Sequence, residues 1–226
     1  MAFICASCKT RYPSQVAVCW VCLSSGLVVI EPSRSPAAAF EAFSSSSAAE
    51  LVKRHWTLLT PAAYPDLRLL RGALALFWGP PGAGKSSILA KLLDTLDRPV
   101  VLVAAEERFG PAVAERLSRL GIKRDSFHVV GQGSVDEIAG FCRKVKADAL
   151  GVDSVSAAGL TGAELRSLAA AAGVGLLAGT LQATKDGQPL GANEVLHEAD
   201  LVVHVEALKW EVTKSRYQAL PLTGEV

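Results

Sequence analysis

Residues Ala73 to Ser87 read ALALFWGPPGAGKSS, and on this stretch the fold turns. The apolar run Ala73 to Trp78 has strand character, and SSILAKLLDTL beyond it carries leucines at helical spacing. Strand, glycine-rich loop and helix is the order that a phosphate-cradling loop requires. Gly79, Gly84, Lys85 and Ser86 fill the fixed positions of G-x-x-x-x-G-K-[ST]. Pro80, Pro81, Gly82 and Ala83 form the span between, and Ser87 follows. Glycines at 79, 82 and 84 let the backbone turn its N–H groups inward at the positive end of the helix that starts near Lys85. In such a loop Lys85 reaches the β and γ phosphates of a nucleotide and the Ser86 hydroxyl becomes a ligand of Mg²⁺. A chance glycine-rich turn would lack the strand before and the helix after.

Downstream the alternation continues. VVLVAA (100–105), FHVV (127–130), ALGV before Asp153 and GLLAGT (175–180) read as strands. AVAERLSRL, DEIAGFCRKVK and the stretch from Gly162 to Ala172 read as helices. LVVHVEA and KWEVTKS, separated by a few residues, predict a closing hairpin. The fold class expected is α/β: a mostly parallel sheet with helices on both faces, edged by C-terminal antiparallel strands.

Upstream, Glu31 to Ala49 is rich in Pro, Ala and Ser and reads as a flexible linker. The pattern ELVKRHWTLL from Glu50 to Leu59 suggests a short helix, which Pro61 and Pro65 prevent from running on. Three parts are expected: a cysteine module over 1–30, a linker over 31–50 and the α/β domain over 51–226.

The formal net charge of +1 argues against a highly basic nucleic-acid coat protein and leaves room for a local basic loop. There is no signal-peptide pattern at the N-terminus and no run of about 18 apolar residues, so no membrane partner and a cytoplasmic location are expected.

Several residues supply the chemistry that a phosphate loop lacks. Asp153, at the end of ALGV, is placed to hold the magnesium shell, though an Asp can also cap the turn after a strand. Glu106 and Glu107 follow VVLVAA directly, and a carboxylate there can orient or deprotonate water. Adjacent residues of an extended segment face opposite ways, so one of the two is expected to face the γ phosphate, with Glu106 favoured. A solvated charged turn is the alternative.

The spacing Cys5-x2-Cys8-x10-Cys19-x2-Cys22 suits four thiolates around tetrahedral Zn²⁺, whose binding can fold a module too short to own a core. A redox pair would need only one C-x-x-C. Cys142, in a helix-like stretch, reads as core, and His128, His197 and His204 as structural.

In motif order from Cys5 to about Gln218 the chain resembles the RadA (Sms) family of bacterial RecA-like ATPases. The four cysteines, GPPGAGKSS, VLVAAEER and GVDSVS stand where that family has its zinc ligands, P-loop, glutamate-ended strand and Walker B strand. ATKDG (183–187), Gly191, His197 and Asp200 resemble its later signature, and TKSRY (213–217) its Lys-Asn-Arg-Phe-Gly motif, with Ser215, Tyr217 and Gln218 departing.

The resemblance implies a RecA-like core that binds ATP and Mg²⁺, a zinc ribbon and a hexameric ring. Single-stranded DNA or a recombination protein is the implied partner. Lys214 and Arg216 would then reach a neighbouring subunit's γ phosphate, Gln182 would sense it, and Lys185 would lie in the DNA-facing loop. The family's Lon-protease-like C-terminal domain has no counterpart in these residues. SVSAAGLTG is also shorter than the family's insertion after the Walker B strand. Two functions are therefore in view: a DNA-linked ATPase of recombination or repair, and an ATP-controlled assembly module docking through the zinc ribbon.

Overall fold

Two units divide the chain, Met1–His55 and Trp56–Val226. The structure, a computed structural model, describes residues 61–226 except 186, 190 and 191, together with Leu58, Leu59 and three short N-terminal strands.

In the first unit β1 (Ala2–Cys5) pairs antiparallel with both β2 (Arg11–Tyr12) and β3 (Val28–Glu31). The zinc ligands expected at Cys8, Cys19 and Cys22, and the side chain of Cys5, lie outside the described residues. So does the linker expected beyond Glu31.

In the second unit β4 (Leu58–Leu59) pairs with β5 (Leu69–Leu70). Leu58 and Leu59 are thus extended rather than the end of a helix. Both Leu59 and Leu69 are buried, which favours the pairing over local helical preference.

The main sheet is built from β6 (Ala73–Gly79), β7 (Val100–Ala104), β8 (Phe127–Val130), β9 (Ala149–Asp153), β10 (Leu176–Gln182), β11 (Leu201–Glu206), β12 (Lys209–Ser215) and β13 (Thr223–Glu225). Its spatial order is β13-β12-β11-β6-β10-β9-β7-β8. From β11 to β8 every pairing is parallel, while β12 and β13 add antiparallel at the other edge. The expected hairpin is β11–β12, turning through Ala207 and Leu208. Strand β13 has no signal in the sequence pattern.

Six helices accompany the sheet among the described residues: α1 (Lys85–Asp94), α2 (Pro111–Arg119), α3 (Val135–Val145), α4 (Val155–Ala158), α5 (Gly162–Ala172) and α6 (Ala192–Glu198). Strand periodicity divides the core between the two faces. Ala73, Ala75 and Phe77 of β6 pack on one side with Ile88, Leu89, Leu92 and Leu93 of α1. Leu74 and Leu76 pack on the other with Ile138 and Cys142 of α3 and Leu165 and Leu168 of α5. The stretch after Asp153, expected to be a loop, holds α4, with Ser154 as its N-cap.

Register sets the place of the site. Gln182 lies opposite Gly79, and Ala104 opposite Asp153. The C-terminal ends of β6, β7, β9 and β10 therefore share one rim of the sheet. Chain order brings β7 out on the far side of β9 and β10 from β6, so the rim is a crevice of the kind in which open α/β sheets bind ligands.

Candidate active site

The loop from Gly79 to Gly84 runs from that rim into α1. Gly79 has φ +156°, and a Cβ there would lie 1.9 Å from the carbonyl oxygen of Val205. Only glycine lets β11 come this close. Gly84 is left-handed, with φ +104°, and serves as the N-cap of α1 without a side-chain hydrogen bond. By contrast, α3 and α5 carry complete capping boxes at Ser134 and Thr161. No acidic residue occupies the first turn of α1. A helix N-terminus without a side-chain cap or an acidic residue of its own in the first turn suits a bound anion.

Lys85 is buried, and its Nζ donates to the carbonyls of Gly79 at 2.9 Å and Pro80 at 2.7 Å. Burial lowers its pKa, while Glu106 and Asp153 push it back up. A dehydrated ammonium held by the loop's own carbonyls stands ready to exchange them for phosphate oxygens.

Asp153 is the hub. Its Oδ1 accepts from Ser86 Oγ at 3.0 Å and from Thr180 Oγ1 at 2.7 Å. Its Oδ2 faces Arg116 Nη1 at 3.2 Å. Thr180 is fully buried, so its hydroxyl fixes the carboxylate from below. A hydroxyl and a carboxylate this close, beside a phosphate loop, are hard oxygen donors of the type that Mg²⁺ takes together with nucleotide phosphates. The residues present fit that ion.

Glu106 and Glu107 both line the cleft, contrary to the expectation that extended geometry would turn one away. The chain leaves β7 at Ala104 and turns at once, because the N–H groups of Ala105 and Glu106 both donate to the Asp153 carbonyl, at 2.7 and 3.1 Å. In a turn, neighbouring side chains need not oppose each other. The two carboxylates nevertheless have different partners. Glu106 Oε1 accepts from Gln182 Nε2 at 3.0 Å, whereas Glu107 is paired with Arg116.

Together Pro81, Gly82, Gly84, Lys85, Ser86, Ser87, Glu106, Glu107, Asp153 and Gln182 line a cleft of about 320 Å³, joined by Arg116 and Arg119 of α2. Pro80 and Ala83 shape the loop without lining the cleft. The Pro80 carbonyl holds Lys85, and the Ala83 carbonyl accepts from Leu208 N in the hairpin turn at 3.3 Å.

Three of the expected residues lie elsewhere. Lys185 is exposed in the turn after β10. Lys214 Nζ donates to the carbonyls of Leu196 at 2.7 Å and His197 at 3.1 Å, at the C-terminus of α6. Arg216 donates to the His197 carbonyl at 2.8 Å and pairs with Asp200 at 3.2 Å. These are favourable positions for cations at a helix end. Neither side chain lines the cleft of its own chain.

Sequence patterns do not single out Thr180, Arg116 or Arg119. Thr180 sits in an apolar strand, where a hydroxyl gives no pattern. Arg116 and Arg119 are ordinary helix cations, and their only signal is that α2 follows the acidic turn.

The loop, the strand order and the rim residues define the class: a mostly parallel α/β domain with a P-loop sequence at the C-terminal rim of its sheet. Its fold is similar to that of a KaiC-like protein from the archaeon Pyrococcus horikoshii, with TM-score 0.54 and 17% identity over 75% of this chain and 93% of that one. In sequence, the chain is 26% identical to the DNA repair protein RadA of Bacillus subtilis over 236 residues, covering 90% of this chain and 51% of that protein. RadA of Haemophilus influenzae and of Aquifex aeolicus match 38% of this chain at 33% and 34% identity. The chain is similar to RadA over this range, and it spans about half the length of the Bacillus protein. No protein-family model matches it. No helix among the described residues is long and apolar enough to cross a membrane.

Proposed function

We propose that this protein is a RadA-like, Mg²⁺-dependent ATPase that hydrolyses ATP at the subunit interfaces of an oligomer, acting on or beside DNA in recombination or repair. One observation carries the reading: Ser86, Thr180 and Asp153 form a single hydrogen-bonded set directly beside the phosphate loop. In this reading the N–H groups at the start of α1 and the Lys85 ammonium bind the phosphates, and Ser86 and Asp153 hold the metal. Mg²⁺ would supply charge neutralisation of the β and γ phosphates. Glu106 accepts a proton from, or orients, the attacking water, and its bond to Gln182 positions both for the γ phosphate. Glu107 is paired with Arg116 instead, which leaves Glu106 as the carboxylate assigned to the water.

Lys214 and Arg216 are assigned to a neighbouring subunit's site. Their lack of contact with their own cleft supports this, and engaging a phosphate in trans requires them to exchange the α6 carbonyls. Cys5, Cys8, Cys19 and Cys22 are assigned to Zn²⁺ on their spacing alone, and Lys185 to single-stranded DNA.

Replacing Lys85 by Ala is expected to lower ATP turnover by at least about 100-fold, the size of effect seen when one transition-state donor is removed. Unchanged turnover removes the loop assignment. Sizing the protein with and without ATP tests the shared site. Turnover and salt-sensitive binding with single-stranded DNA test the nucleic-acid role. ATP-dependent assembly without either DNA response would favour the assembly-module reading.

A further inference from the structure

The cleft contains a cation that neither the phosphate loop nor the trans pair accounts for. Arg116 projects from α2 with only 11% of its side chain exposed and bridges two carboxylates. One guanidinium nitrogen faces Asp153 Oδ2 at 3.2 Å and the other pairs with Glu107. Asp153 Oδ1 already accepts from Ser86 and Thr180, so Oδ2 is the oxygen left to meet a second cation.

We propose that Arg116 is a resident counter-cation that competes with Mg²⁺ for Asp153 and so sets the magnesium requirement of nucleotide binding. The inference rests on the nucleotide-site reading above. Oδ1 is taken by the two hydroxyls, so both cations are drawn to Oδ2, and two positive charges that close in a nearly buried site repel each other. When the metal takes Asp153, the Arg116 fork keeps Glu107 alone. When metal is scarce, Arg116 keeps the carboxylate pair from repelling the polyphosphate. It is a positioning residue, because it acts through Asp153 and Glu107.

The two roles predict opposite responses, which a purely structural role would not. Binding of a fluorescent N-methylanthraniloyl ATP analogue is measured with the full chain in EDTA and across a magnesium titration. For Arg116→Ala, the half-saturating Mg²⁺ concentration is expected to fall about tenfold and metal-free nucleotide affinity to weaken about tenfold, the scale of one partly buried ion pair. Adding Glu107→Gln to that variant is expected to restore part of the metal-free affinity. Arg116→Lys keeps the charge without the fork and should fall between the wild type and Arg116→Ala in both measurements.

Parallel weakening with and without metal, or an unchanged magnesium midpoint, overturns the proposal. If Arg116→Ala does not fold, Arg116→Lys carries the test, with an unchanged midpoint again overturning it. A wild-type protein that binds no nucleotide defeats the site reading itself, and this proposal with it. A wild type that binds while the variants leave the midpoint unmoved defeats only the role of Arg116.

Discussion

Two clusters of charge occupy the ends of strands in this domain, and they are organised in opposite ways. At the phosphate-loop rim, Lys85, Asp153, Glu106 and Glu107 line an open cleft. At the hairpin side, Lys214, Arg216, Arg166 and Asp200 satisfy one another and the backbone around them. Asp200 accepts from Leu74 N at 2.8 Å and pairs with Arg166 at 3.0 Å and Arg216 at 3.2 Å. The same residue types thus make a receptor in one place and a brace in the other. A cation named by a motif therefore takes its role from its partners in the fold.

The largest effect is expected where the phosphate loop meets β11. Gly79→Ala drives a methyl group into the Val205 carbonyl of β11 at a residue whose backbone is neither free to shift nor flexible like a side chain. Loss of about 4 kcal/mol, or failure to fold, is expected, measured by urea unfolding. A mild effect would mean that β11 is not pressed against the loop.

Asp200→Ala tests whether the hairpin side is a brace. It leaves a backbone N–H and two arginines without their shared acceptor, and should cost about 2 kcal/mol after allowance for partial exposure. If the variant is as stable as the wild type, the comparison fails on that side.

Alkaline pH sharpens the contrast further. Burial raises the Cys142 thiol to about 11 and the Tyr64 and Tyr217 phenols to about 12. Each group is more easily ionised in the unfolded chain, so each contributes stability that is present below its unfolded pKa and lost as pH rises toward its folded one. The urea midpoint should therefore begin to fall near pH 9, where Cys142 acts first, and fall more steeply above pH 10. In Cys142→Ala the decline should start only near pH 10. An identical onset in both proteins would show that the thiol does not take part.

The smallest expected change in stability belongs to Arg216→Ala. Its side chain is 52% exposed, and pairs of that kind contribute under about 1 kcal/mol. A large fall in ATP turnover at nearly unchanged melting temperature is the result expected of a residue acting in trans. Equal turnover would leave Arg216 as a brace alone.

Much of the domain is legible in the chain itself. The strand at Ala73–Gly79 and the helix at Lys85–Asp94 are specified locally, by a continuous apolar run, glycines and then leucines at helical spacing. The helix from Gly162 to Ala172 announces itself through Thr161 and Glu164, a capping box whose two hydrogen bonds need only a single turn of chain. The paired glutamates mislead in their geometry, because the turn that aims both at the cleft is made by the carbonyl of Asp153, which belongs to a different strand. Thr180 and Arg116 are silent for the same reason. A threonine in an apolar strand and an arginine on a helix become site residues only through the neighbour that the sheet order brings to them.

The phosphate loop, the α/β class and the acidic residues after the strands can be read from the chain, since each rests on residue types within a short stretch. That Gly79, Glu106, Asp153 and Gln182 meet on one rim, that Arg116 lies between two carboxylates, and that Lys214 and Arg216 turn to α6 follows from the folded sheet alone. Register is the cause. Parallel pairing of strands far apart in the chain places their C-terminal ends side by side, and the partners of a charged side chain are then chosen by the sheet.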